Sequence, residues 1–132
     1  FRGTLRAACE PDAIAYICER ADVGLLLDTA HLRVAAFHMG MAPEHYLRRL
    51  PLDRVREIHV CGPAPDPEDG HLRDRHLEMQ DIDYALLDLA LSMTRPRMVT
   101  LEYGGTGPKF EWRSDADVLK RQLLTLRRML PA

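Results

Sequence analysis

Val23-Gly24-Leu25-Leu26-Leu27-Asp28 decides the fold class. It is a short, unbroken apolar run that ends on a charge, a pattern typical of parallel strands covered on both faces. Two further stretches also read as short strands: Glu57-Ile58-His59-Val60, and Met98-Val99-Thr100-Leu101-Glu102-Tyr103. Segments of helical pattern lie between them. Strands that alternate with helices imply a parallel sheet with right-handed crossovers.

Working outward, residues 11–20 read as a helix. Pro11 suits the first helical position and Asp12 the first turn, while Ile14, Ile17 and Cys18 form one apolar face. Residues 29–36 continue the first strand as a helical turn or loop, and residues 43–50 form a short helix closed by Pro51. Residues 61–70 hold Pro63, Pro65, Pro67 and Gly70 and read as a long loop, a feature that is often functional in compact domains. Residues 82–93 are helical, with Ile82, Leu86, Leu89, Ala90 and Met93 on one face and Pro96 beyond the end. Ser114 is the expected cap of a last helix, and Leu119, Leu123, Leu126 and Leu130 its buried side. Arg127 and Arg128 suit the C-terminal end of that helix. Three strands alone leave two apolar edges open, so further strands are expected before Phe1 or from a partner.

Bulk properties fit an ordinary globular chain: 132 residues, 46% hydrophobic, 29% charged. The net charge of −2 gives no electrostatic reason to expect a nucleic-acid partner. No stretch approaches the roughly 20 apolar residues needed to span a bilayer, so no membrane partner is expected. Cys9, Cys18 and Cys61 are scattered and form no Cys-x-x-Cys pair, which points to a reducing, cytoplasmic setting. The opening Phe1-Arg2-Gly3 is neither an initiator methionine nor a signal peptide, and the chain is expected to be an excerpt of something longer.

Each strand carries a metal-binding residue type at or near its end. The first ends on Asp28, with His31 three positions on; the second contains His59; the third reaches Glu102. Asp74-Arg75-His76 adds a carboxylate and an imidazole two residues apart. In parallel α/β folds the C-terminal strand ends are where chemistry sits. Mixed carboxylate and imidazole donors suit Zn²⁺, Fe²⁺, Mn²⁺ or Co²⁺. Taken singly, each residue has a plainer reading. Asp28 serves equally as a helix cap, His59 as a satisfied core histidine, and Asp74 and His76 as surface residues. Glu102 has Arg97 or Arg113 as a candidate ion-pair partner. His38, His45 and His71 lack strand-end placement. The joint pattern asks for more, because coincidence has to supply Asp, His and Glu at all three strands.

Asp28-Thr29-Ala30-His31, His59, Asp74-Arg75-His76 and Leu101-Glu102 resemble the second half of the xylose-isomerase-like TIM barrels. Order and spacing are similar to the ligand set of the endonuclease IV type of abasic-site nuclease. That resemblance implies that Asp28, His31, His59, Asp74, His76 and Glu102 are metal ligands. Met39-Gly40-Met41-Ala42-Pro43 through Tyr46-Leu47, with Leu50-Pro51-Leu52-Asp53-Arg54-Val55 and Ile58-His59, is similar to another branch, the multinuclear non-haem iron oxidases. Those enzymes modify ribosomal peptides with O₂ at a two- or three-iron site. They usually carry asparagines after the first Asp, where this chain has Thr29, Ala30 and His31. The nuclease family usually carries Asn-Asp after the strand His, where this chain has Val60-Cys61.

The resemblance implies an α/β fold in which residues 1–132 are about three βα units, the C-terminal part of a parallel (β/α)8 TIM barrel. It implies a metal-dependent enzyme, nearest to an iron oxidase acting on a peptide or small substrate, with two or three divalent ions. Iron leads; zinc and manganese are alternatives. A partner protein that presents the peptide is compatible with this reading. The alternatives are an endonuclease IV-like phosphodiesterase, a sugar isomerase or epimerase, and a degenerate barrel that serves as an interaction subunit. Residues 61–76 are the expected cover of the site, and residues 104–107 a place of close substrate approach.

Overall fold

The structure is a computed structural model that describes residues 7–105, 107, 108, 110, 111 and 114–130. Helix α1 (Pro11–Ala21) leads to β1 (Leu25–Asp28), α2 (Thr29–Met39) and the short α3 (Pro43–Arg48). Then come β2 (Val55–Val60), β3 (Gly62–Pro65), β4 (Leu72–Leu77), α4 (Asp81–Met93), β5 (Met98–Leu101) and α5 (Ala116–Met129). The three expected strands form one parallel sheet in the order β1-β2-β5. Its register sets Asp28 against His59 and His59 against Thr100, so the polar residues share one level near the C-terminal ends.

Strand alternation sorts the side chains by face. Leu27, Ile58 and Val60 enter the core with Leu32, Ala35 and Ala36 of α2 and Leu86, Leu87 and Ala90 of α4. The opposite phase is Leu26, Asp28, Glu57, His59 and Thr100. There Leu26 is 49% exposed, and none of the others is buried. The strands were expected to be covered on both faces; among the described residues, helices bury one of them. The other face carries charge.

The 61–70 segment is a loop only in part: residues 62–65 are a strand and residues 66–70 the turn that follows it. β3 pairs antiparallel with β4 in a two-stranded ribbon, joining Gly62 to Leu77, Ala64 to Arg73 and Pro65 to Leu72. Proline removes a ladder donor, but a strand with only one neighbour tolerates it. At the tip, Asp66 Oδ1 accepts from Glu68 N at 3.0 Å, and Gly70 adopts a positive φ of 69°. Gly62 is needed for a different reason. A Cβ there would stand 2.2 Å from the Glu78 carbonyl oxygen, against backbone that cannot swing away.

Several helix expectations change. The segment after β1 is a full helix to Met39, closed by Gly40 at φ 63°. In α1, Cys18 is buried but Ile17 faces solvent. In α4 the buried residues are Asp83, Leu86, Leu87 and Ala90, while Ile82 is exposed. Asp83 is held there by an ion pair with Arg33 of α2, and its Oδ2 accepts from Gln80 N at 2.8 Å. In α5 the cap is Asp115, which accepts from Asp117 N and Val118 N. Ser114 instead bridges the Gly105 N–H and carbonyl. Leu126 and Gln122 are the buried residues of α5; Leu119 and Leu123 are exposed. Gln122 Oε1 accepts from Met79 N at 2.9 Å, which anchors the helix at the end of the ribbon. No helix is long and apolar enough to cross a membrane among the described residues.

Candidate metal centre

Asp28 closes β1 and caps α2 at once. Its Oδ1 accepts from His31 N at 2.8 Å, so the plain helix-cap reading is correct for that oxygen. Oδ2 stands 3.6 Å from His31 Nδ1. The first turn of α2 then carries His31 toward the ribbon, where its Nε2 lies 3.1 Å from Asp74 Oδ2. The ribbon folds β4 back so that Asp74 and His76 both face the sheet ends. His76 holds a positive φ of 50°, a costly backbone state for a residue with a Cβ, and its carbonyl accepts from Gly104 N at 2.8 Å. His76 Nε2 lies 3.2 Å from Asp74 Oδ2 and 3.8 Å from Glu102 Oε2. Glu102 follows β5 directly, and its amide is fixed by a 2.9 Å bond to the Val60 carbonyl. Its other oxygen, Oε1, is 3.1 Å from His59 Nδ1.

All six sequence-predicted residues therefore meet in one connected cluster. Five of them, with Cys61, sort into donor groups whose atoms lie within 4.8 Å of one another: Asp28, His59 and Glu102 in one, Cys61, Asp74 and His76 in the other; His31 joins the cluster through Asp28 and Asp74. Glu102 spans the two, with one oxygen toward each. Its ion pairs run to His59 and His76 and not to Arg97; Arg113 lies outside the described residues. His38 and His71 sit apart, with their rings stacked edge-on near the ribbon tip. Asp74 and His76 lie on a strand rather than on a cover loop. Gly104 and Gly107 have positive φ, and Thr106 between them lies outside the described residues.

Sequence reading missed Glu57, Cys61 and Thr100. Glu57 Oε1 lies 2.9 Å from His59 Nε2 and accepts from Thr100 Oγ1 at 3.0 Å. The buried Cys61 thiol donates to Asp74 Oδ1 at 3.2 Å. The available signal was the period of two: Glu57, His59 and Cys61 alternate onto one side from β2 onward.

The electrostatics describe a site short of positive charge. Burial pushes the Asp28 carboxyl above the usual carboxylate range, and the charges of Asp74 and Glu102 push the same way. The hydrogen bond to Asp74 raises the His31 imidazole, against burial, which lowers it. Asp74 goes down: burial favours its neutral form, but bonds from His31 and Cys61 and the charge of His76 outweigh it. Burial, with the Asp74 bond next, drives the Cys61 thiol far up, so it acts as a donor and not a thiolate. The hydrogen bond to His59, then that to Thr100, lowers Glu57. Crowded carboxylates beside imidazoles suit a cation, and oxygen with imidazole nitrogen suits iron, zinc or manganese.

Fold and cluster together define a parallel α/β protein with two adjoining donor groups able to hold metal ions. The family model described as RiPP precursor modification enzyme MbnB/TglH/ChrH matches residues 4–122, and the chain belongs to that family. The resemblance to the peptide-modifying branch, carried by Met39–Leu47 and Leu50–His59, is thereby borne out. The chain is also similar to the UPF0276 proteins of Caulobacter vibrioides, at 33% identity over 76% of this chain, and of Bordetella pertussis, at 37% over 74%. The UPF0276 protein of Paraburkholderia phytofirmans matches at 32% over 89% of the chain. These matches cover 37%, 36% and 38% of the respective relatives, so the chain spans less than half of their length.

Proposed function

We propose that this chain supplies most of a multinuclear iron centre to an enzyme that oxidises a ribosomally made peptide precursor. The observation that carries the reading is the unbroken series of contacts from Asp28 through His31, Asp74, His76 and Glu102 to His59. Asp28, His59 and Glu102 would hold one ion, and Asp74 and His76, with His31, another. Bound iron supplies redox capacity, Lewis acidity and a template for the substrate. The chain's own residues arrange the donors. Glu102 spans both groups, Cys61 ties one oxygen of Asp74 to the protein so that the other faces the cluster, and the constrained backbone at His76 aims its ring inward. Membership of a family of RiPP precursor modification enzymes supports a peptide as substrate class.

The same proposal takes the three βα units as the last part of an eight-stranded barrel. The half-open charged face fits a barrel interior, and β1 and β5 each pair only with β2 among the described residues. The 36–38% share of the relatives' length is close to three strands in about eight.

Elemental analysis of the protein, purified without added metal, tests the reading. Two or more equivalents of iron per chain are expected. Zinc or manganese instead would favour a phosphodiesterase or an isomerase. No uptake under any loading condition would overturn the metal reading and leave a degenerate barrel or interaction subunit.

A further inference from the structure

We propose that Glu57 is a positioning residue of this site: its carboxylate holds the Nε2–H of His59 and so turns Nδ1 toward Glu102 as the nitrogen offered to a cation. The inference rests on the proposed metal site, and it names a residue outside the ligand set. Glu57 and His59 are two apart on β2, so their side chains leave the same face of the sheet. Glu57 Oε1 is 2.9 Å from His59 Nε2. An ionised carboxylate only accepts, so this contact requires the ring proton on Nε2. Nδ1 is then the nitrogen turned into the donor group, 3.1 Å from Glu102 Oε1, and a cation bound there would take the place of any proton it carries.

Glu57 is itself held in place. Thr100 is the register partner of His59 on β5, and its hydroxyl donates to the same Glu57 oxygen at 3.0 Å. One β2–β5 pairing thus fixes the carboxylate and the ring nitrogen that it holds. Histidines that bind metal commonly give their second nitrogen to a carboxylate, and losing that partner typically weakens metal affinity about 10–100-fold. Glu57→Gln removes the obligatory acceptor while keeping size and shape, because an amide offers a donor as well as an acceptor.

The test uses the metal-free full chain and cobalt(II). First, ¹⁵N spectra of the histidine rings are recorded on the wild type. His59 is expected to carry a proton on Nε2; a bare Nε2 overturns the proposal without any variant. Second, cobalt is titrated into wild type and Glu57→Gln, with circular dichroism as the folding control. About a 10–100-fold weaker uptake of one equivalent is expected in the variant, together with mixed His59 tautomers. Tight cobalt binding by both proteins would overturn the role of Glu57 and leave the metal site standing. Failure of the wild type to bind cobalt would overturn the metal site and this inference with it. Should Glu57→Gln not fold, Thr100→Val replaces it. Loss of the hydroxyl is expected to loosen the His59 ring and weaken cobalt uptake; unchanged uptake and tautomer would count against the proposal.

Discussion

Two acidic clusters lie within one ribbon's length of each other and are built on opposite principles. At the ribbon tip, Asp66 and Asp69 meet arginines: Arg73 Nε and Arg75 Nη2 both lie 2.9 Å from Asp66 Oδ2, and Arg73 also reaches Asp69. At the sheet ends, Asp28, Asp74 and Glu102 meet imidazoles. A guanidinium is charged at every accessible pH, so the tip is neutralised internally. An imidazole is charged only when protonated, and its neutral form is a metal donor. Carboxylates closed by arginine, Asp69 with its added His71 contact among them, are structure; on the proposed reading, those whose basic partners are histidines alone are open to a cation. Asp83 with Arg33 is the buried extreme of the first kind.

The comparison breaks most visibly at that extreme. Asp83→Ala strands Arg33 in the α2–α4 interface and also removes the acceptor of Gln80 N. A loss of about 3–5 kcal/mol is expected in urea unfolding, with no change in the metal bound per folded chain. Glu102→Gln should do the reverse. The fold stays, and metal affinity falls by about 100-fold or more, because the residue spans both donor groups. Metal content equal to wild type would remove Glu102 from the site.

A smaller effect sharpens the contrast. Burial raises the Asp28 carboxyl, so its ionised form destabilises the metal-free fold at pH values above that raised value. Metal-free protein should therefore gain stability from this group as the pH falls from neutral through it. Asparagine also caps helices. Asp28→Asn is expected to leave the metal-free protein equal or more stable by about 0.5–1 kcal/mol, and to impair metal uptake. A clear fall in the thermal midpoint of the metal-free variant would place Asp28 with the structural carboxylates.

Much of the frame was legible because strand ends are marked chemically. Asp28, His59 and Glu102 close or flank apolar runs, and the register sets Asp28 level with His59 and Glu102 two residues past the Thr100 that pairs with it. Asp74 and His76 were legible as residue types but misplaced onto a loop. Pro63 and Pro65 hid a strand that needs a partner on one side only. The side chains of α5 were misread because leucine spacing marks an apolar stripe without saying what covers it: Leu119 and Leu123 stay exposed while Gln122 is buried. Glu57 and Cys61 were missed because attention stopped at the strand-end ligand, while the pleat carries the same face two residues each way.

The smallest expected effect lies at the tip. Asp66 is lowered, first by the backbone bond from Glu68, then by the hydrogen bond from Arg73. A lowered carboxylate contributes stability that is present above the ordinary carboxylate value near pH 4 and is lost as pH falls through the lowered value. Amides of the ribbon, read by hydrogen exchange, should therefore keep their protection from neutral pH down to about pH 4 and lose part of it below. Asp66→Asn should abolish that acid dependence and leave metal binding untouched. If the variant lost metal as well, the tip and the sheet ends would be one electrostatic unit, and the division between arginine-closed and histidine-open carboxylates would fail at the ribbon that joins them.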